Sequence, residues 1–192
     1  MDNQPEELTT NATSSRRALL ASVIAGASVA AVPFLAGKAS AATGSTPTTT
    51  APPNRSDADN PVLNTLLARE RAMVRAYKVA VSNSMSEEEK NVLLYFHSNH
   101  LAHVDALKGF LGPAAAADTS SAAVAPTGSF TDIATQLIAA ERETVNAHTA
   151  ALATIAGIGA ASLVASIVPI EARHITVLSI ASGQPLNAAL TN

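Results

Sequence analysis

Two pairs of metal-capable side chains in this sequence are each spaced three residues apart. His100 and His103 form one pair, and Glu171 and His174 form the other. A spacing of three places both members of a pair on the same face of a helix. Imidazole and carboxylate groups in such pairs are typical ligands of transition-metal ions inside helical bundles.

Two further glutamates stand in the middle of apolar helical patterns. Glu70 and Glu141 are each flanked, at three- and four-residue spacing, mainly by Leu, Ile, Met and Val. A charged group inside an apolar interior is costly unless a partner compensates it, and one bound cation can compensate several such groups. We therefore predict a single interior metal site whose ligands are Glu70, His100, His103, Glu141, Glu171 and His174.

The alternative is a relic site, in which buried glutamates and histidines hydrogen-bond to one another and to water. His148 lies on the same stripe as Glu141, and we interpret it as a core histidine beside the site, with an extra ligand as the alternative. Tyr77 lies two turns from Glu70, and we interpret it as a core residue rather than a redox participant.

The composition favours helices and excludes several kinds of chemistry. The 192 residues are 47% hydrophobic but only 3% aromatic, and much of the apolar content is alanine, which favours packed helices over a sheet. A net charge of −3 without a basic block argues against a nucleic-acid partner. The absence of cysteine excludes disulfides, iron–sulfur clusters and thiolate zinc sites. Any metal is therefore held by His and carboxylate, which indicates iron or manganese, with zinc as an alternative.

Apolar residues recur at three- and four-residue spacing in four segments, which predicts an all-α protein with a four-helix bundle. Asn60 is predicted to cap the first helix, Ser86 and Glu89 are predicted to form a capping box for the second, and Ser129 and Asp132 are predicted to open the third. Pro169 falls inside the fourth helix and should kink it or loosen one turn. Arg71, Arg75 and Lys78 of the first helix are interpreted as a solvated face.

The spacing also predicts two helical hairpins, with turns near residues 84 and 158. In each hairpin, one glutamate and one pair of ligands lie at nearly the same distance from the turn. Measured along the helix axes, the two distances differ by roughly 5 Å. About 17 residues join the hairpins. Extended, they reach on the order of 55 Å, against a second helix on the order of 37 Å long. The connection can therefore cross back along the bundle, although a slack loop at one end fits the spacing equally well.

The first 41 residues are predicted to be an export signal. Arg16 and Arg17 directly precede an apolar run over 18–37, and an Ala-Ser-Ala sequence ends at Ala41, after which we expect cleavage. The paired arginines resemble a twin-arginine signal, which implies the twin-arginine export machinery as a partner and a periplasmic or extracellular location. An ordinary secretory signal and an uncleaved membrane anchor are the alternatives.

The predicted organisation of the chain has four parts. These are the export signal over 1–41, a disordered Thr- and Pro-rich linker over 42–59, the helical bundle over 60–185 and a tail over 186–192. The sequence leaves the assembly state open, a homo-oligomer included.

Four segments of the predicted bundle carry a resemblance to a known family. They are Leu63-Asn64 followed by Glu70 and Tyr77, Ala102–Leu107, Glu141 with Ala147, and Val168–His174. From about Pro61 to Ser182 the chain resembles a ferritin-like four-helix bundle, of the exported branch that includes desiccation-related proteins. The Glu-Ala-Arg-His segment at 171–174 is the most specific part of the likeness.

The resemblance implies a crossover between the hairpins and a site for two iron or manganese ions. Carried over position by position, the ligands would be Glu70, His103, Glu141, Glu171 and His174. Two positions depart from the family pattern: His100 stands where the family has a carboxylate, and His148 where it often has tyrosine. Three carboxylates instead of four leave two divalent ions with excess positive charge unless hydroxide or oxide bridges them, which favours one ion or two unequal ones.

From these features we expect an exported metal-binding protein with one or two transition-metal ions. Oxidation of iron, or handling of peroxide or dioxygen in stress protection, would suit such a site. Whether the protein is an enzyme stays open. The alternative is a non-enzymatic helical bundle with a structural or stress-protective role and a vestigial site.

Overall fold

The computed structural model describes residues 55–83 and 85–184, and these residues form four α-helices without a strand. The helices are α1 (Asn60–Ala80), α2 (Glu87–Leu111), α3 (Phe130–Leu152) and α4 (Ile158–Ala181). The prediction of an all-α four-helix bundle is confirmed. The predicted export signal, most of the predicted linker and the predicted tail lie outside the described residues.

Two of the predicted helix starts have capping boxes, and the one at Ser86 confirms the prediction. The Ser86 hydroxyl accepts the N–H of Glu89, and the Glu89 carboxylate accepts the N–H of Ser86 at 2.8 Å. Ser129 and Asp132 make the same reciprocal pair at the start of α3. Each box satisfies two backbone donors that have no partner within the helix.

The start of α1 differs from the prediction. Asn60 has helical dihedral angles and is the first residue of the helix, so it is not the cap. It follows a 3₁₀ turn at Asp57–Asp59, within the last residues assigned to the linker. The carboxylate of Asp59 is buried and accepts the N–H groups of Ala156 at 2.9 Å and Gly157 at 2.8 Å. These contacts tie the residue before α1 to the turn before α4.

The helices form two hairpins whose ends meet in two apolar layers. Layer A contains the end of α1, the starts of α2 and α3 and the end of α4; it includes Met73, Ala76, Leu93, Phe96, Ile133, Leu137 and Leu178. Layer B contains the opposite ends of the four helices; it includes Leu63, Leu66, Leu67, Leu107, Leu111, Ala151, Leu163 and Ile167. Because α2 ends in layer B and α3 begins in layer A, the connection between them crosses the length of the bundle. The predicted crossover is confirmed.

The crossover runs along α1 and is held there by polar contacts. Asn64 donates to the carbonyl of Ala114 at 2.9 Å and accepts the N–H of Ala116 at 2.7 Å. Further along, a backbone hydrogen bond joins Ala123 N–H to Ala72 O at 3.0 Å.

Two arginines of α1 also bind the crossover. Arg71 donates to Ala116 O at 2.9 Å, and Arg75 pairs with Asp118 at 2.7 Å. Hydrogen bonds from Arg75 and Ser120 lower the pKa of Asp118 to about 2. The interpretation of these arginines as a solvated face is wrong, because helical periodicity does not show that a distant loop covers this face.

Within the described residues, α4 is the one helix long and apolar enough to span a membrane by length and composition. Half of its most apolar stretch is buried against the bundle, and it carries Glu171 and His174 into the interior, as a core helix does. It continues through Pro169 as a single helix, although proline has no N–H to donate to Ala165.

Candidate metal centre

A polar cluster lies between the two apolar layers, and every helix contributes to it. All six predicted ligands are in this cluster, together with His148. Six of the seven residues are fully buried, and His103 is 6% exposed. They are Glu70 from α1, His100 and His103 from α2, Glu141 and His148 from α3, and Glu171 and His174 from α4. The sequence therefore predicted which side chains converge.

Four of these side chains form a first group, which we call quartet 1: Glu70, His100, His103 and Glu171. Each offers one ligand atom, and these atoms lie within 4.8 Å of one another. Glu70 Oε2 is 2.8 Å from His100 Nδ1 and 3.3 Å from His103 Nδ1. Glu171 Oε1 is 2.8 Å from His103 Nδ1 and 3.5 Å from His100 Nδ1. The four atoms thus close a ring of alternating oxygen and nitrogen.

A second group, quartet 2, consists of His100, Glu141, Glu171 and His174, again with ligand atoms within 4.8 Å. Glu141 Oε1 is 3.1 Å from His100 Nε2 and 3.2 Å from His174 Nδ1. His174 Nδ1 is in turn 3.4 Å from Glu171 Oε2. His100 and Glu171 belong to both quartets. His100 faces Glu70 with Nδ1 and Glu141 with Nε2, and Glu171 faces His103 with Oε1 and His174 with Oε2.

These distances suit a shared cation. For metal–ligand bonds of about 2.1 Å, neighbouring ligand atoms are about 3.0 Å apart in an octahedral site and about 3.4 Å apart in a tetrahedral one. The contacts in the two quartets span 2.8 to 3.5 Å. The spacing of the donors fits iron, manganese or zinc, and the site carries the oxygen and nitrogen donors that these ions accept.

Unpaired polar atoms in the cluster point to the same conclusion. Six buried side-chain atoms lack a hydrogen-bond partner: Glu70 Oε1, His103 Nδ1, Glu141 Oε2, His148 Nε2 and both oxygens of Glu171. Some of them are close in space without the angles of a hydrogen bond: His103 Nδ1 lies 2.8 Å from Glu171 Oε1, and His148 Nε2 lies 3.1 Å from Glu70 Oε1. Buried polar atoms without partners are rare in folded proteins, and these converge on a common interior region.

Three histidines of the cluster, His100, His103 and His174, are biased toward their protonated forms. Burial alone would lower the pKa of His103, but the carboxylates of Glu171 and Glu70 raise it to about 9. Burial opposes the charge on His100 as well, yet Glu171 and Glu141 raise its pKa well above the ordinary value. The pKa of His174 is also raised, because Glu141 outweighs the effect of burial.

The pKa values of two cluster glutamates, Glu70 and Glu141, shift in the opposite direction. Burial would raise the pKa of Glu70, but His100 and His103 are the main groups that lower it well below its ordinary range. Burial is likewise outweighed at Glu141, whose pKa is lowered by His100 and His174. Carboxylates that stay ionised in an apolar interior are good ligands for cations, since no proton has to leave them.

Neighbouring residues fix the orientation of several cluster residues. The Tyr77 hydroxyl donates a short hydrogen bond to Glu141 Oε1, and burial, followed by the charge of Glu141, raises the pKa of Tyr77 well above 10. The Nδ1–H of His148 donates to Thr144 O at 2.9 Å, so its Nε2 faces Glu70 Oε1 at 3.1 Å. This agrees with the interpretation of His148 as a core histidine beside the site.

Sequence reasoning missed one residue of the site. The Asn99 side-chain amide lies 3.0 Å from His174 Nε2, while the other ring nitrogen of His174 faces the carboxylates. The Phe96 ring lies 4.3 Å from the His174 ring, centroid to centroid. The sequence does indicate this position for Asn99. Asn99 and His103 are four residues apart, so both lie on the same face of α2.

The fold and the cluster define a class of protein: a four-helix bundle with a buried glutamate–histidine site that can hold metal ions. The family model described as a ferritin-like domain matches residues 56–184, and the chain therefore belongs to the ferritin-like domain family. No curated protein and no solved structure matches the chain.

Proposed function

We propose that this protein is an exported metal-binding protein that holds one or two divalent transition-metal ions. The observation that carries the proposal is the meeting of three glutamates and three histidines from four helices in two overlapping quartets with ligand-like spacing. Iron and manganese are the favoured ions, with zinc as the alternative, because the donors are carboxylate and imidazole without thiolate.

We propose a redox role for the bound ion. A bound iron or manganese ion would supply the one-electron chemistry needed to oxidise ferrous iron or to reduce peroxide or dioxygen. The two apolar layers exclude bulk water from the cluster, which strengthens its electrostatic interactions. Tyr77 holds Glu141 in place, and Asn99 holds the ring of His174. Ligands fixed in this way need little reorganisation when an ion binds.

Export is part of the proposal. Arg16 and Arg17 stand directly before an apolar run, as in twin-arginine signals. This route is suited to proteins that fold around their cofactor before they leave the cytoplasm, so we propose that metal is loaded first. We further propose a role in stress protection outside the cytoplasm, by removal of ferrous iron or peroxide.

Metal analysis of protein exported by its native host tests the proposal. We expect near-stoichiometric metal in the wild-type protein and loss of that metal in a His103→Ala, His174→Ala double variant. His97→Ala is the matched control, because His97 is a half-buried histidine of α2 outside both quartets. Wild-type protein that carries no metal after export, and takes up neither Fe²⁺ nor Mn²⁺, would refute the proposal.

A second candidate function is a non-enzymatic bundle with a vestigial site. It is favoured by the contacts of His100, whose two ring nitrogens lie 2.8 Å from Glu70 and 3.1 Å from Glu141, so that protonated histidine can itself compensate these carboxylates. Thermal melts separate the two candidates. A melting temperature that responds neither to chelator nor to added Fe²⁺ or Mn²⁺ supports the vestigial site, whereas stabilisation by metal supports the first proposal.

A further inference from the structure

We infer that His100 bridges two cation positions through its two ring nitrogens. The inference rests on the proposed function, because it assumes that the cluster binds metal. His100 is fully buried in the centre of the cluster and belongs to both quartets. Its Nδ1 faces Glu70 Oε2 and Glu171 Oε1, and its Nε2 faces Glu141 Oε1.

The geometry of the imidazole ring implies two separate cation positions. The lone pairs of the two nitrogens lie in the ring plane and point away from each other, so one ion cannot bind both. Nδ1 faces Glu70 of quartet 1 and Nε2 faces Glu141 of quartet 2, which places one cation position on each side of the ring.

Glu171 repeats the same arrangement with its two oxygens. Its Oε1 lies 2.8 Å from His103 in quartet 1, and its Oε2 lies 3.4 Å from His174 in quartet 2. Neither oxygen has a hydrogen-bond partner. The two positions are therefore joined by one imidazole and one carboxylate, and each has one histidine and one glutamate of its own.

Charge balance agrees with this arrangement. Three glutamates supply −3, whereas two divalent ions carry +4. If both nitrogens of His100 bind ions, both of its ring protons leave to solvent and the ring becomes an imidazolate with a charge of −1. The ligands then total −4, and the site is neutral without an added hydroxide. A histidine at this position thus restores the charge that a fourth carboxylate would have supplied.

The bridge predicts how far apart the ions lie. Two metal–nitrogen bonds of about 2.1 Å on opposite sides of an imidazole ring give a separation of about 6 Å. Two-metal sites bridged by carboxylate or hydroxide alone are closer, at about 3.5–4 Å. The separation therefore distinguishes a bridging His100 from a His100 that binds one ion only.

Anomalous diffraction from crystals of the full chain loaded with Zn²⁺ tests the inference directly. We expect two peaks, one on each side of the His100 ring and about 6 Å apart. A single peak, or two peaks within about 4 Å of each other, would overturn the bridge but leave the proposed function standing. If Zn²⁺, Mn²⁺ and Fe²⁺ all fail to bind, the proposed function itself fails, and the bridge with it.

Variants at position 100 give a second readout, the number of Zn²⁺ ions bound per chain. His100→Gln offers one ligand oxygen and cannot serve both positions, so we expect the stoichiometry to fall from two to one. His97→Gln, the same change outside the cluster, should leave it at two. A His100→Gln protein that still binds two ions would overturn the bridge.

His100→Glu keeps the test valid should the glutamine variant fail to fold. Its two oxygens can bridge, so we expect two ions at a separation nearer to 4 Å than to 6 Å. If the ions in this variant stay at the wild-type separation, His100 does not set the distance and the inference is wrong.

Discussion

The carboxylate of Asp59 accepts the backbone N–H of Gly157 at 2.8 Å, which joins the start of α1 to the start of α4. The same carboxylate accepts the N–H of Ala156 at 2.9 Å. Both hydrogen bonds are made by a side chain that is 2% exposed. A negative charge at this place also interacts favourably with the amino end of α4. Asp59 therefore links residues that are 98 positions apart in the sequence.

Replacement of Asp59 by alanine should destabilise the bundle by about 1–3 kcal/mol, because two backbone donors lose their acceptor in a buried place. Urea denaturation followed by circular dichroism measures the change. Asp57→Ala is the matched control, since Asp57 is exposed in the same turn, and it should change stability by less than about 0.5 kcal/mol. Equal effects of the two substitutions would show that the contacts of Asp59 contribute nothing.

The metal-free protein should lose stability as the pH rises from about 6.5 to about 9. Protonated His103 has a folded-state pKa of about 9 against an ordinary value of 6.5, so its stabilising effect is complete below 6.5 and lost as the pH rises through 9. The expected loss is on the order of 3 kcal/mol. The raised pKa values of His100 and His174 act in the same direction.

Denaturation of chelator-treated protein at pH 6, 7.5 and 9 measures this loss. His103→Gln should show a weaker dependence over the same range, because the titrating group is absent. Acid should also destabilise the protein, since the lowered pKa values of Glu70 and Glu141 mean that their contribution is lost as the pH falls through the folded-state values. A metal-free stability that rises between pH 6.5 and 9 would contradict the expected sign.

Asn99→Leu should weaken metal binding about 10- to 100-fold, the usual cost of losing a residue that orients a histidine ligand. Leucine is similar in size but cannot hydrogen-bond to His174 Nε2. Isothermal titration with Mn²⁺ measures the affinity, and circular dichroism checks that the helices persist. Ser98→Ala, at the exposed neighbouring position, is the control and should bind as the wild type does. Unchanged affinity in Asn99→Leu would exclude a positioning role.

The crossover should open more readily when its arginine contacts are removed. Because Arg71 and Arg75 bind it from α1, an Arg71→Ala, Arg75→Ala double variant should be cleaved within residues 115–129 roughly 10-fold faster in limited proteolysis. Added salt should reduce the difference between variant and wild type, since it screens the ion pairs. Lys78→Ala removes an exposed cation of the same helix and should leave the rate unchanged. Equal cleavage of all three proteins would show that the arginines do not hold the crossover.

Much of the fold could be predicted from the sequence because its signals are local. Helical periodicity, together with capping residues such as Ser86 and Ser129, located the helices. Charged or imidazole groups on the apolar stripes indicated the interior cluster, because such groups remain in a core only when they meet partners. Glu70 and Glu141 were recognisable for this reason.

The remaining features depend on contacts between distant parts of the chain. Asp59 reaches a turn 97 residues away, and Arg71 is covered by a loop rather than solvated. Periodicity gives the face on which a side chain lies but not the helix or loop that covers that face. The partner of Asn99 depends on the rotation of α2 against α4, which the sequence of either helix alone does not encode. The direction of the crossover was settled only by the packing of the two layers.

Among the seven cluster residues, only His103 has any contact with solvent, at 6% exposure. His103 is therefore the cluster residue that reaches the molecular surface, and the other six are closed off from solvent. Solutes can reach those six residues only when the helices separate transiently, so the rate of local opening limits access to the cluster. An ion held inside should accordingly exchange slowly with ions in solution. Its residence time should depend on how often α2 and α4 separate.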